Sequence, residues 1–333
     1  MHRRTLLALP MLALLPRAAL AQAEADERLK ALLDQAEELT SLKTVIIARN
    51  GTVITERGYR GSSVRVPGNI KSASKSVMSA LVGIAIGKGL LDGVEQKVAP
   101  ILRSDLPANP DPRLAELTIG NLLSMQAGLE RMSGANYGRW VSSRNWVRTA
   151  LAQPFVDEPD GAMLYSTAST HLLSAILTRR SGRPTLALAR DWFGDVEGFS
   201  IAAWARDPQG IYLGGNEMAM SPRSLLAFGE LYRQGGRTAN GRQVVPADWV
   251  ATSWQPRTAS RFTGDAYGYG WFLRSMGGYD VRYAWGYGGQ MLYIAPQLGL
   301  TLVMTSRDDA PAGRTGYRDA LHRLAEAVIA AVA

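Results

Sequence analysis

Cysteine is absent from the 333 residues, which excludes disulfides, thiolate metal sites, iron–sulfur clusters and a cysteine nucleophile. Histidine is almost absent as well: of three, His2 lies at the extreme N-terminus, leaving His171 and His322 for the body of the chain. A Ser-His-Asp triad or a histidine-built metal centre has little to work with, and both residues fall in expected amphipathic helices, where packing accounts for them. Lysine stops at Lys97. There is no G-x-S-x-G elbow, no glycine loop followed by the lysine of a phosphate site, and no internal repeat. Asp92 and the Asp308-Asp309 pair lack the spacing of a metal loop. Lys and Arg outnumber Asp and Glu by 37 to 29, a net charge of +8, but the arginines are scattered rather than striped with aromatics. No nucleic-acid footprint follows from that pattern.

What is present is an ordinary globular composition, 46% hydrophobic and 20% charged, in a chain long enough for one large domain or two intimate ones. Residues 1–21 carry His2-Arg3-Arg4, an apolar run over 6–15 and then Ala19-Leu20-Ala21. This layout predicts a secretory leader, with Arg3-Arg4 open to a twin-arginine route, and hence a periplasmic or secreted protein. Loss of Arg3, Arg4 and Arg17 with it lowers the net charge from +8 to +5. No later hydrophobic run is long enough to make a stable membrane span.

Spacing predicts an amphipathic helix over 24–39, then two β-branched runs about Asn50-Gly51, a hairpin turn that demands positive φ. A helix is expected over 72–86, followed by helices at 118–127, 167–180 and 222–234 among Pro- and Gly-rich loops. Strands return at 269–274, 280–285, 291–294 and 300–305, and a helix over 317–332 closes the chain. The early hairpin is expected to join the late strands in one antiparallel sheet. The helical middle then forms a second lobe, with a cleft between the two.

Three segments could carry chemistry. Ser72-Ala73-Ser74-Lys75 is an S-x-x-K at a helix start, where three residues bring hydroxyl and amine to one face. A buried lysine of lowered pKa can take the serine proton, and the helix start suits a developing oxyanion. The plainer reading is a helix cap followed by a surface lysine; Ser74, Ser76 and Lys71 are neighbouring alternatives, although neither serine has a lysine three residues on. Tyr165-Ser166-Thr167 opens another helix, and a tyrosine beside a lysine can exchange its proton, though packing explains it too. Trp285-Gly286-Tyr287-Gly288-Gly289-Gln290 lets a ligand approach backbone, or is simply a turn.

Taken in order, these pieces resemble the serine β-lactamase-related hydrolases, the group of class C β-lactamases, D,D-peptidases, related esterases and 6-aminohexanoate-dimer hydrolases. The likeness runs from Val45-Ile46-Ile47-Ala48-Arg49-Asn50-Gly51 through Ser72-Ala73-Ser74-Lys75-Ser76 and Leu117-Thr118-Ile119-Gly120-Asn121-Leu122-Leu123-Ser124-Met125 with Gly128-Leu129 to Tyr165-Ser166-Thr167. It continues in Met220-Ser221-Pro222-Arg223, Tyr267-Gly268-Tyr269-Gly270-Trp271 and Gly286-Tyr287-Gly288-Gly289-Gln290. The resemblance implies an α+β fold of the β-lactamase/transpeptidase type, an antiparallel sheet flanked by helices plus a mostly helical lobe. The α/β lobe would comprise about 24–72 and 210–333 and the helical lobe about 73–209, all within one hydrolase domain over 22–333.

By the same resemblance Ser72 is the acylated nucleophile, Lys75 its base and Tyr165 the proton partner. The backbone N–H groups of Ser72 and Tyr287 form the oxyanion hole, Thr167, Trp285 and Gly286 line the substrate, and no metal or organic cofactor is used. Two positions depart from the family. Thr167 stands where many members have asparagine, and the K-T-G element is replaced near Trp285-Gly286-Tyr287, with Arg274 and Arg282 the nearest cations in sequence. The Gly-Tyr-Gly-Gly-Gln form is most similar to the 6-aminohexanoate-dimer hydrolase branch. These departures point to a small ester or amide as substrate; a β-lactamase or D,D-peptidase is the alternative, and a non-catalytic binding or sensor module of the same fold is the alternative of another class.

Overall fold

The computed structural model describes residues 17–313 and 315–333. Most of the expected leader, 1–16, lies outside them, and among the described residues no helix is long and apolar enough to cross a membrane.

The strands are β1 Leu42–Arg49, β2 Thr52–Gly58, β3 Gly68–Asn69, β4 Ala203–Trp204, β5 Met218–Met220, β6 Thr258–Ala259, β7 Ala266–Tyr267, β8 Phe272–Met276, β9 Tyr279–Gly286, β10 Gln290–Ala295 and β11 Leu300–Ser306. The helices are α1 Arg17–Gln35, α2 Ser74–Gly87, α3 Val98–Ile101, α4 Ile119–Leu123, α5 Tyr137–Val141, α6 Trp146–Leu151, α7 Thr167–Ser181, α8 Thr185–Trp192, α9 Pro222–Arg233, α10 Ala247–Ser253 and α11 Tyr317–Val332.

The early hairpin does join the late strands. The main sheet is antiparallel, in the order β2-β1-β11-β10-β9-β8-β7-β6, and β3, β5 and β4 form a small second sheet. The β1–β2 turn has Asn50 at φ +51° and Gly51 at +86°, the two positive angles its residue types predict. Both faces of the central strands are covered, which is why β1 reads as a nearly unbroken apolar run rather than an alternating one. Val45 and Ile47 point to a core shared with Leu29 and Leu33 of α1 and Leu324 and Val328 of α11. Ile46 and Ala48 point to the larger core that contains α2, α7 and α9.

Within that larger core α2 is central, with every residue from Ser74 to Ala85 buried. Two expected helices are shortened, each by a residue in the left-handed region. Met125, at φ +65°, ends α4 before the expected 127. Lys71, at φ +50°, turns the chain so that Lys71–Ala73 is a single 3-10 turn and the α-helix starts at Ser74 rather than at Ser72.

Candidate active site

Ser72 therefore sits in a tight turn at the mouth of a buried helix. The serine hydroxyl is 2.9 Å from Lys75 Nζ. Lys75 is 1% exposed, and its amine also donates to the Gly215 carbonyl at 2.7 Å and lies 3.4 Å from the Thr167 hydroxyl. A neutral amine has two hydrogens and one lone pair. Gly215 and Thr167 can take the hydrogens, which leaves the lone pair for the Ser72 proton. Burial drives the lysine pKa down from 10.5 to about 7, because the charged form has lost its water and gained no carboxylate.

Tyr165 completes the cluster from the other side. Met125 fixes the segment that carries it: the Met125 carbonyl accepts from the Leu164 N–H at 2.8 Å and its sulfur from the Ser166 N–H at 3.5 Å. The Tyr165 ring stacks on Phe272, meets Tyr267 edge-on, and lies 5.0 Å from Lys75 Nζ. Burial raises the phenol well above its ordinary value, with the Ser72 side chain pulling the other way. The two environments push the groups apart: at neutral pH the lysine can accept a proton and the phenol can only donate one.

The third wall is the end of β9. A Cβ on Gly286 would overlap the Ile70 carbonyl oxygen, so this strand end lies hard against the turn that carries Ser72. Gly286 is the residue such an approach requires. Tyr287 follows at the hairpin tip with its ring half exposed. Trp285 is partly buried, under the Arg318 guanidinium at 5.2 Å and beside Phe272.

The fold thus gathers Ser72, Tyr165 and Thr167 around the Lys75 amine, with Gly286 packed against the adjoining turn, although not all are in the expected posture. Thr167 is 4% exposed and turned inward: its hydroxyl pairs with Ser133 Oγ at 3.0 Å as well as with Lys75, and its N–H donates to Ser133 at 2.8 Å. Arg274 lies 3.5 Å from Asp265, and Arg282 lies 3.5 Å from Asp280 and over the Trp254 ring, so both are engaged along β8 and β9 away from the hairpin tip. His171 packs between Trp140 and Trp146 and bonds Asp207 at 3.0 Å, while His322 bonds Tyr293, both buried. Reading the sequence missed Gly215 and Ser133. A carbonyl acceptor leaves no side-chain signature, and the Gly214-Gly215 pair just upstream of Met220-Ser221-Pro222-Arg223 was the one available hint.

Comparison with known proteins bears on the family and the fold. The model of the Beta-lactamase family matches residues 43–327. Among solved structures, the hydrolase EstCE1, which has promiscuous acyltransferase activity, superposes with a TM-score of 0.73 at 19% identity over 94% of this chain and 99% of its own. A protein provisionally described as a 6-aminohexanoate-dimer hydrolase from Bacillus anthracis gives 0.71 at 18% identity over 90% and 81%. The octameric penicillin-binding protein homologue of Pyrococcus abyssi gives 0.70 at 16% identity over 91% and 77%. At these identities the likeness is one of fold, the β-lactamase/transpeptidase-like fold. A probable fimbrial assembly protein, FimD of Dichelobacter nodosus serogroup H1, is 33% identical over 145 residues, 41% of this chain and 36% of its own length. The match thus spans little more than a third of that curated relative.

Proposed function

The chain belongs to the Beta-lactamase family, whose β-lactamase-fold members are serine hydrolases, and on that premise we propose that it cleaves a small ester or amide through an acyl-enzyme. Ser72 Oγ attacks the carbonyl carbon as Lys75 takes its proton. The backbone N–H groups of Ser72 and Tyr287 stabilise the oxyanion, and Tyr165 delivers a proton to the leaving group. The Lys75 ammonium then returns its proton to the Tyr165 phenolate; water attacks the ester on Ser72, giving a proton to the neutral Lys75 amine, and Lys75 passes that proton to the departing Ser72 Oγ as the acid leaves. The observation that carries the reading is the buried lysine amine 2.9 Å from a serine hydroxyl, with its pKa lowered to about 7.

The preference for a neutral substrate over a β-lactam or a peptidoglycan peptide rests on charge. No lysine follows Lys97. Arg274 and Arg282 are held elsewhere, and Lys71, beside the nucleophile, is flanked by Glu217 at 3.4 Å and Asp308 at 3.6 Å. A substrate carboxylate would compete with two fixed ones for that ammonium. Export to the periplasm or beyond belongs to the same proposal, on the strength of residues 1–21 alone.

A fluorophosphonate probe tests the chemistry. Labelling should be lost in Ser72→Ala and slowed at least a hundredfold in Lys75→Ala, about the share that general-base help contributes. Labelling at another serine, or none, would support the non-catalytic module instead. Faster turnover of nitrocefin than of p-nitrophenyl acetate would overturn the substrate argument.

A further inference from the structure

The residue ahead of the nucleophile is held in a conformation its side chain disfavours. Lys71 has φ +50°, a left-handed angle at which glycine is the comfortable choice. Such a residue persists only where its surroundings over-determine it. Here each of its polar groups is tied down. The Lys71 N–H donates to Asn69 Oδ1 at 2.9 Å and its carbonyl accepts from the Ser74 hydroxyl at 2.8 Å. Its ammonium lies 3.4 Å from Glu217 Oε1 and 3.6 Å from Asp308 Oδ2. Asn69 Nδ2 donates to Glu217 Oε2 at 2.7 Å, which closes a ring of contacts around the turn.

The two carboxylates come from separate walls of the site. Glu217, itself at φ +51°, precedes β5 and follows by two residues the Gly215 whose carbonyl receives Lys75. Asp308 follows β11 and supports the Gly286–Gly289 hairpin, where a Cβ on Gly288 would come within 3.0 Å of the Asp308 α-carbon. The lysine ammonium therefore links the segment that orients the base to the hairpin that faces the nucleophile, through the backbone unit next to Ser72.

We propose that Lys71, gripped by Asn69, Glu217 and Asp308, is a positioning residue that keeps the strained turn in place and aims Ser72 Oγ at Lys75. This rests on Ser72 being the nucleophile. With the grip removed, Lys71 is free to relax toward a right-handed angle, which swings the following residue and lengthens the 2.9 Å contact. Displacements of this kind cost orders of magnitude in reactions that depend on near-attack geometry.

The test is the rate of fluorophosphonate labelling as a function of pH in wild type, Lys71→Met, Lys71→Arg, Glu217→Gln and Asp308→Asn, with thermal unfolding measured alongside. Lys71→Met should lower the plateau rate at least about tenfold while its midpoint stays near pH 7, because that midpoint is set by burial of Lys75 and not by Lys71. Lys71→Arg should restore most of the rate, since a guanidinium can also span two carboxylates. The two rim substitutions, at carboxylates more than a third exposed, should fold normally and give intermediate losses. They decide the matter if Lys71→Met does not fold. A shifted midpoint with an unchanged plateau would assign Lys71 an electrostatic effect on Lys75 and overturn positioning, as would wild-type rates in all four variants. A wild type that does not label would remove the proposed function itself, a different failure from variants that match a reactive wild type.

Discussion

Replacing Lys75 with methionine exposes the same titration in two unrelated measurements. The lysine pKa falls from 10.5 to about 7 because burial penalises the ammonium. In the unfolded chain the amine keeps its ordinary affinity for protons, so between pH 7 and 10.5 the unfolded state binds more protons and stability must rise with pH. At about 1.4 kcal/mol for each pH unit, the full fall is worth between 4 and 5 kcal/mol, an upper figure that any water reaching the amine reduces, to about half or less. Methionine fills a similar volume and does not titrate. Urea unfolding of both proteins from pH 6 to 10 should therefore show a gap that favours the methionine variant near pH 7 and shrinks as pH rises. The orphaned Gly215 carbonyl shifts that gap by a constant and leaves its slope alone.

Wild-type acylation, followed by fluorophosphonate labelling, should track the neutral fraction of the same amine. That means about half the plateau rate at pH 7, about a tenth at pH 6 and nearly all of it above pH 8. A labelling midpoint near 10, or a stability gap that is flat across pH 7 to 10, would refute a buried lysine of lowered pKa as the base.

Other consequences are sharper in space than in pH. Gly215→Ala puts a methyl 2.9 Å from Lys75 Nζ and into overlap with Thr170 Oγ1, so it should cost about 1–3 kcal/mol in thermal unfolding and slow labelling together. Tyr165→Phe keeps the ring packed on Phe272 but removes the proton donor; ester turnover should fall about a hundredfold, with the pH midpoint of labelling unmoved. A Tyr165→Phe enzyme with full activity would exclude the phenol from proton transfer.

The serine–lysine pair was legible because it is local: three residues on a helical path bring Ser72 and Lys75 together whatever surrounds them, and the hairpin at Asn50-Gly51 was legible for the same reason. Helix boundaries were less so. The left-handed angles at Lys71 and Met125 belong to residue types that do not announce them, so the sequence pattern placed the first helical turn on Ser72 and extended α4 too far.

Tertiary structure alone decided how the amine behaves. A lysine in S-x-x-K reads the same whether it faces water or core, and it is the burial of α2 between sheet and helices that lowers the pKa of Lys75 toward neutrality. The partners that finish the site are also remote in sequence. Gly215 is 140 residues from Lys75, Ser133 is 34 from Thr167 and Glu217 is 146 from Lys71. Spacing rules carry information over a turn or a strand, whereas contacts closed over such separations exist only once the core has chosen which surfaces meet.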